Sequence, residues 1–78
     1  MNTFITIATF GLPQEIAVLK TILEEKEIPH FFENETFIGV EPFASIALGG
    51  IKLKIKPENI AEVTEILQTL NHKIDEIQ

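Results

Sequence analysis

The chain predicts an α+β domain in which an antiparallel sheet carries two helices on one face. Three observations lead there. Ile51-Lys52-Leu53-Lys54-Ile55-Lys56 alternates strictly between aliphatic residues and lysine, the pattern of a strand with one buried and one wet face. Pro13 and Pro57 each open a stretch whose apolar residues recur at helical spacing. A β-branched and aromatic run, Thr3 to Phe10, stops at the breaker Gly11-Leu12-Pro13.

Thr3–Phe10 is expected as the first strand, with Ile5 and Ile7 on one face and Phe4, Thr6, Ala8 and Phe10 on the other. Apolar residues on both faces suggest a central strand. Pro13 suits the first position of a helix, where a missing N–H costs nothing, and Glu15 in the first turn complements the helix dipole. Ile16, Leu19, Ile22 and Leu23 give this helix one apolar face. It should end near Lys26, because Pro29 disfavours α geometry at Ile28. His30–Glu35 reads as a second strand, half apolar and therefore suited to an edge. After the third strand, 51–56, Pro57 opens a second helix in which Ile60, Val63, Leu67 and Leu70 share a face. Ile74 and Ile77 leave residues 71–78 as either a short edge strand or a frayed extension. The order strand, helix, strand, strand, helix, with room for a short last strand, is the ferredoxin-like split βαβ pattern. Phe4 and Phe31 should then stand near Lys52 and Lys54 on an open sheet face, a candidate oligomer interface.

With 78 residues the chain is expected to be one domain, 1–78, near the lower size limit for a self-sufficient core. Twelve acidic residues against six lysines and no arginine give a net charge of −6. That balance argues against nucleic acid, whose phosphates call for clustered cations. Residues 1–10 lack the basic and long apolar regions of a secretion signal, and no apolar run approaches the roughly 20 residues that span a bilayer. Without cysteine no disulfide can form, which suits a reducing cytoplasm.

Residues 36–50 do not fit a simple hairpin. Where two to five residues suffice, this connection spends fifteen, and Phe37, Ile38, Val40, Phe43, Ile46 and Leu48 make it strongly apolar. Either it folds back as a lid that completes the core, or it is a loop for binding or self-association. Gly49-Gly50 permits positive φ, for a tight turn into the third strand or for close approach to a ligand anion. It lacks the Lys and Ser/Thr of a phosphate loop. Lys52, Lys54 and Lys56 form a positive stripe: a wet face with edge protection, or a site for an anionic metabolite or an acidic protein face.

Conventional catalytic patterns are missing. His30 and His72 are far apart and His30, Glu33 and Asn34 have no ligand spacing, so no metal is expected. Ser45 lacks a nucleophile elbow, and Glu33, Glu35 and Glu41 read as solubilising acids.

The helix end Leu23-Glu24-Glu25-Lys26-Glu27-Ile28-Pro29, the segment Gly39-Val40-Glu41-Pro42 and the string Ala47-Leu48-Gly49-Gly50-Ile51-Lys52-Leu53 carry a resemblance. Over residues 3 to 70 the chain resembles a small bacterial domain family of unknown function that bears the name prokaryotic signal-transducing protein. Glu27 stands where glycine is usual in that family, a departure confined to a helix terminus. The resemblance implies a ferredoxin-like fold similar to the PII regulators, a non-enzymatic regulatory role and self-association as a dimer or trimer. It brings no catalytic residues and no cofactor. The positions that match its recurring pattern are Asn34, Pro42, Ser45, Gly49 and Gly50, and with Phe43 they form the expected binding surface. The long nucleotide-binding loop and basic cluster of PII are missing, so ATP is not expected.

The expectation is therefore a cytoplasmic regulatory binding module, not an enzyme, acting through the 36–50 loop and the open sheet face. Its partner would be a second copy or another protein, with a small anion as a further ligand and with neither nucleic acid nor membrane involved. The alternative is a structural interaction domain without a small ligand.

Overall fold

A computed structural model describes residues 3–41 and 43–70. In chain order it shows β1 (Ile5–Phe10), a 3-10 turn (Pro13–Ile16) continuing into α1 (Ala17–Glu25), β2 (His30–Glu33), α2 (Glu35–Val40), α3 (Ala44–Leu48), β3 (Ile51–Ile55), and a 3-10 turn (Pro57–Asn59) continuing into α4 (Ile60–Thr69). The architecture is α+β, with a three-stranded sheet in the order β1-β3-β2 and β3 antiparallel to both neighbours. The suggested strand in 71–78 lies outside the described residues.

The alternation in β3 holds throughout. Ile51, Leu53 and Ile55 are fully buried, while Lys52, Lys54 and Lys56 are half-exposed on the other face. Leu19 and Leu23 of α1, with Ile16 just before it, and Val63 and Leu67 of α4 join these aliphatics in one core cluster. Both long helices therefore pack on the same side of the sheet. Both begin after proline, with Glu15 and Glu58 in the opening turns. Among the described residues no helix is long and apolar enough to cross a membrane.

The helix α1 ends in a Schellman motif. Ile28 N–H donates to Leu23 O (3.0 Å) and Glu27 N–H to Glu24 O (3.1 Å), and the apolar pair Leu23 and Ile28 is buried beneath. This closure requires a left-handed residue, and Glu27 supplies it at φ 55°. Glu27 thus holds the place in this closure at which the backbone favours glycine.

Two expectations are corrected. The register of β1 slips between Thr6 and Ala8, so the expected faces do not persist along the strand. Ile5 pairs with Ile55 on the core face, and beyond the bulge Ala8 pairs with Leu53 and Phe10 with Ile51 on that same face. A bulge adds one residue, so the parity of every later side chain reverses, and Ile7 and Ala8 are both fully buried. Secondly, the 36–50 segment is no loop. It forms α2 and α3, and β2 stops at Glu33 because Asn34 turns left-handed at φ 75°.

Candidate functional site

The helical pair that replaces the expected loop is held in place by a few residues. In α2 the anchor is Ile38, which is fully buried in the core. Asn34 is the left-handed residue before the helix, a conformation its short amide side chain tolerates, and its Nδ2 donates to Gly50 O at 3.2 Å. Glu35, in the first turn of α2, forms an ion pair with Lys20 of α1. Both partners are about one-third exposed, so the pair contributes less than about 1 kcal/mol.

Polar contacts gather at the start of β3. Ser45 Oγ donates to Gly11 O at 2.9 Å and so ties α3 to the end of β1. The Ser45 carbonyl accepts the N–H groups of both Gly49 and Gly50, the latter at 2.9 Å. Both glycines have positive φ, 78° and 94°. Gly50 also lies against β1: a Cβ there would sit 2.8 Å from Phe10 O and from Thr9 Cγ2. This glycine thus permits the close approach of two chain segments. Lys52 Nζ donates to Leu48 O at 2.9 Å, a cation at the C-terminal end of α3.

The structure thus brings Asn34, Ser45, Gly49 and Gly50 together around one turn, where each makes a hydrogen bond within the chain. The two glycine N–H groups that could cradle an anion are already committed to Ser45. Phe43 is different, since its side chain points outward. Pro42 lies outside the described residues.

Phe43 has company. Phe37 is 60% exposed, Val40 82%, Phe43 80% and Ile46 85%. Phe37 and Val40 stand three apart on α2, and Phe43 and Ile46 three apart at the start of α3. Helical spacing thus puts each pair on one side of its helix. No residue of α3 is buried. The sequence marked this segment as apolar but could not say which residues would be covered, because Ile38 and Ile46 differ only in what packs against them.

On the open sheet face Phe4 and Phe31 meet edge-to-face, with centroids 5.3 Å apart and planes at 61°. Phe31 lies opposite Lys54 as expected, and Lys56 rather than Lys52 accompanies Phe4, its Nζ 5.9 Å from the ring centroid. Lys54 Nζ is 3.6 Å from Glu33 Oε1. Each lysine of the stripe therefore has a partner within the chain. His30 Nδ1 lies 2.7 Å from Ile28 O, a structural hydrogen bond beside Phe32. Among the described residues no group of three or more His, Cys, Asp or Glu is placed to hold a metal ion.

One concavity was not legible in the sequence. A groove of about 290 Å³ runs between the C-terminal ends of α1 and α4, lined by Ile22, Lys26, Glu65, Ile66, Thr69 and Leu70. It is remote in sequence from 35–50 and reaches Leu70, the last described residue. In comparison with known proteins, no family model, no curated protein and no solved structure matches this chain.

Proposed function

We propose that the chain is a small non-enzymatic binding module with a regulatory role in the cytoplasm, built on a ferredoxin-like split βαβ fold. Its contacts run through the outer side of α2 and α3, with the open sheet face as a second surface. The fold reading is supported by β3 lying between β1 and β2 and antiparallel to both, with a helix linking the two outer strands. The regulatory reading is supported by the resemblance to the signal-transducing domain family. Cysteine-free composition fits a reducing compartment.

One observation carries the functional reading. Four large apolar side chains stand mostly in water on a segment that Ile38, Asn34 and Ser45 fasten to the domain. Exposure of such a cluster costs hydration free energy, and in soluble domains a grouped apolar patch marks a contact surface. The alternative, an interaction domain with no small ligand, is favoured by the internal hydrogen bonds of Gly49 and Gly50, which occupy the N–H groups of both glycines.

The test is site-specific photocrosslinking in living cells. A photoreactive residue replaces Phe43 or Ile46, with Val18 on the exposed side of α1 as the control. Defined adducts from 43 and 46 but not from 18 support the surface. Adducts absent from all three positions, or equal at all three, refute it.

A further inference from the structure

We infer that the outer side of α2 and α3 is a two-fold interface with a second copy of this chain, in which α3 crosses α3 of the partner in antiparallel fashion. The inference rests on the contact surface proposed above and names its occupant.

Area is the first argument. From their exposures, Phe37, Val40, Phe43 and Ile46 present roughly 600 Å² of surface, taking about 200 Å² for an aromatic side chain. Leu48 at the end of α3 and Leu12, beside the Gly11 carbonyl that Ser45 holds, are each 37% exposed and extend the patch. The face then approaches the roughly 800 Å² per partner of a standard interface.

Charge is the second argument. Between residues 36 and 50 the only charged side chain is Glu41. With Lys52 at one end and Glu41 at the other, the rim has no net positive charge to favour anionic lipid headgroups, and the neutral centre suits an equally neutral, apolar partner surface. The two charges that flank α3 lie at opposite ends. Glu41 precedes it, its carbonyl accepting the Ala44 N–H at 2.9 Å, and Lys52 Nζ sits on the Leu48 carbonyl at the other end. In an isologous antiparallel crossing the N-terminal end of each α3 meets the C-terminal end of the other. Glu41 of each copy then faces Lys52 of the other, so one arrangement covers the apolar centre and pairs both rim charges. A parallel crossing would set like charges side by side.

Sedimentation equilibrium across a concentration series, with circular dichroism confirming the fold of each variant, tests this. The wild type should be a dimer. Ile46→Asp, at a position 85% exposed within the chain, should weaken it by about 100-fold or more, because two copies of the substitution enter each dimer. Glu41→Lys and Lys52→Glu should each weaken it roughly ten-fold, and an equimolar mixture of the two should form a heterodimer of wild-type strength, since mixing restores both charge pairs. A monomer at every concentration, a dimer indifferent to Ile46→Asp, or a mixture no stronger than its components overturns the proposal. Failure here alongside crosslinks from residues 43 and 46 to a different protein would retire the self-interface and leave the contact surface standing. Loss of all those crosslinks would retire both.

Discussion

Glu27 offers a sharp test of the local geometry. It occupies the left-handed region at φ 55° as the residue after the C-cap of α1, in a closure completed by the Ile28 to Leu23 hydrogen bond. For a residue with a Cβ that conformation costs about 1–2 kcal/mol. Glycine removes the cost but enlarges the entropy of the unfolded chain, an opposing term of about 0.4–1 kcal/mol. Glu27→Gly should therefore stabilise the domain by about 0.5–1 kcal/mol. In a domain of this size that corresponds to roughly 3–6 °C in Tm. Removing an anion from a helix C-terminus also helps slightly, so the control is Glu27→Ala, which loses the same charge and keeps the strained backbone. Urea and thermal unfolding followed by circular dichroism give the difference between the two variants. Equal stability, or a less stable glycine variant, refutes the assignment of strain to this residue.

Further expectations concern the segment and the sheet. Gly50→Ala should cost about 2–4 kcal/mol, because its Cβ would meet Phe10 O and Thr9 Cγ2 at 2.8 Å at a positive φ. Gly49→Ala should cost only about 1 kcal/mol, since the nearest atom, Lys52 Nζ at 3.2 Å, is the end of a flexible side chain; equal losses in urea titrations contradict this packing. Ile38→Ala should destabilise by about 2–5 kcal/mol, as expected of a fully buried aliphatic. Ile46→Ala, measured in dilute protein, should stay within about 0.5 kcal/mol of the wild type, and a large loss there would mean that α3 is covered within the monomer. A double-mutant cycle on Phe4→Ala and Phe31→Ala should return a coupling of about 0.5–1.5 kcal/mol, and no coupling would show that the two rings do not meet in solution.

The elements with a single strong periodicity were legible from the residues. The alternation of β3 and the apolar faces of α1 and α4 emerged as read, because burial of one face is encoded in the spacing of apolar residues. The proline starts were also legible, since Pro fixes φ and lacks the N–H that a helix start leaves unpaired. The end of α1 was placed correctly by Pro29. That Glu27 would close it in a left-handed conformation was not legible from the residues, since glutamate carries no preference for positive φ.

The sequence by itself determined the α+β character, the acidic surface, the two long helices, and the presence of an apolar excess at 36–50. Tertiary structure decided what that excess does. Ile38 and Ile46 are the same residue type in the same short segment, yet one fills the core and the other faces outward, a difference set by the sheet and helices beneath. The bulge in β1 was likewise invisible, because Ile7-Ala8 supports either register and only pairing with β3 selects one. Asn34, Ser45, Gly49 and Gly50, expected to bind, meet through contacts 16 and 34 residues apart in sequence, Asn34 to Gly50 and Gly11 to Ser45. Local propensity carries no information about such distant partners, which fasten an exposed apolar segment to the domain.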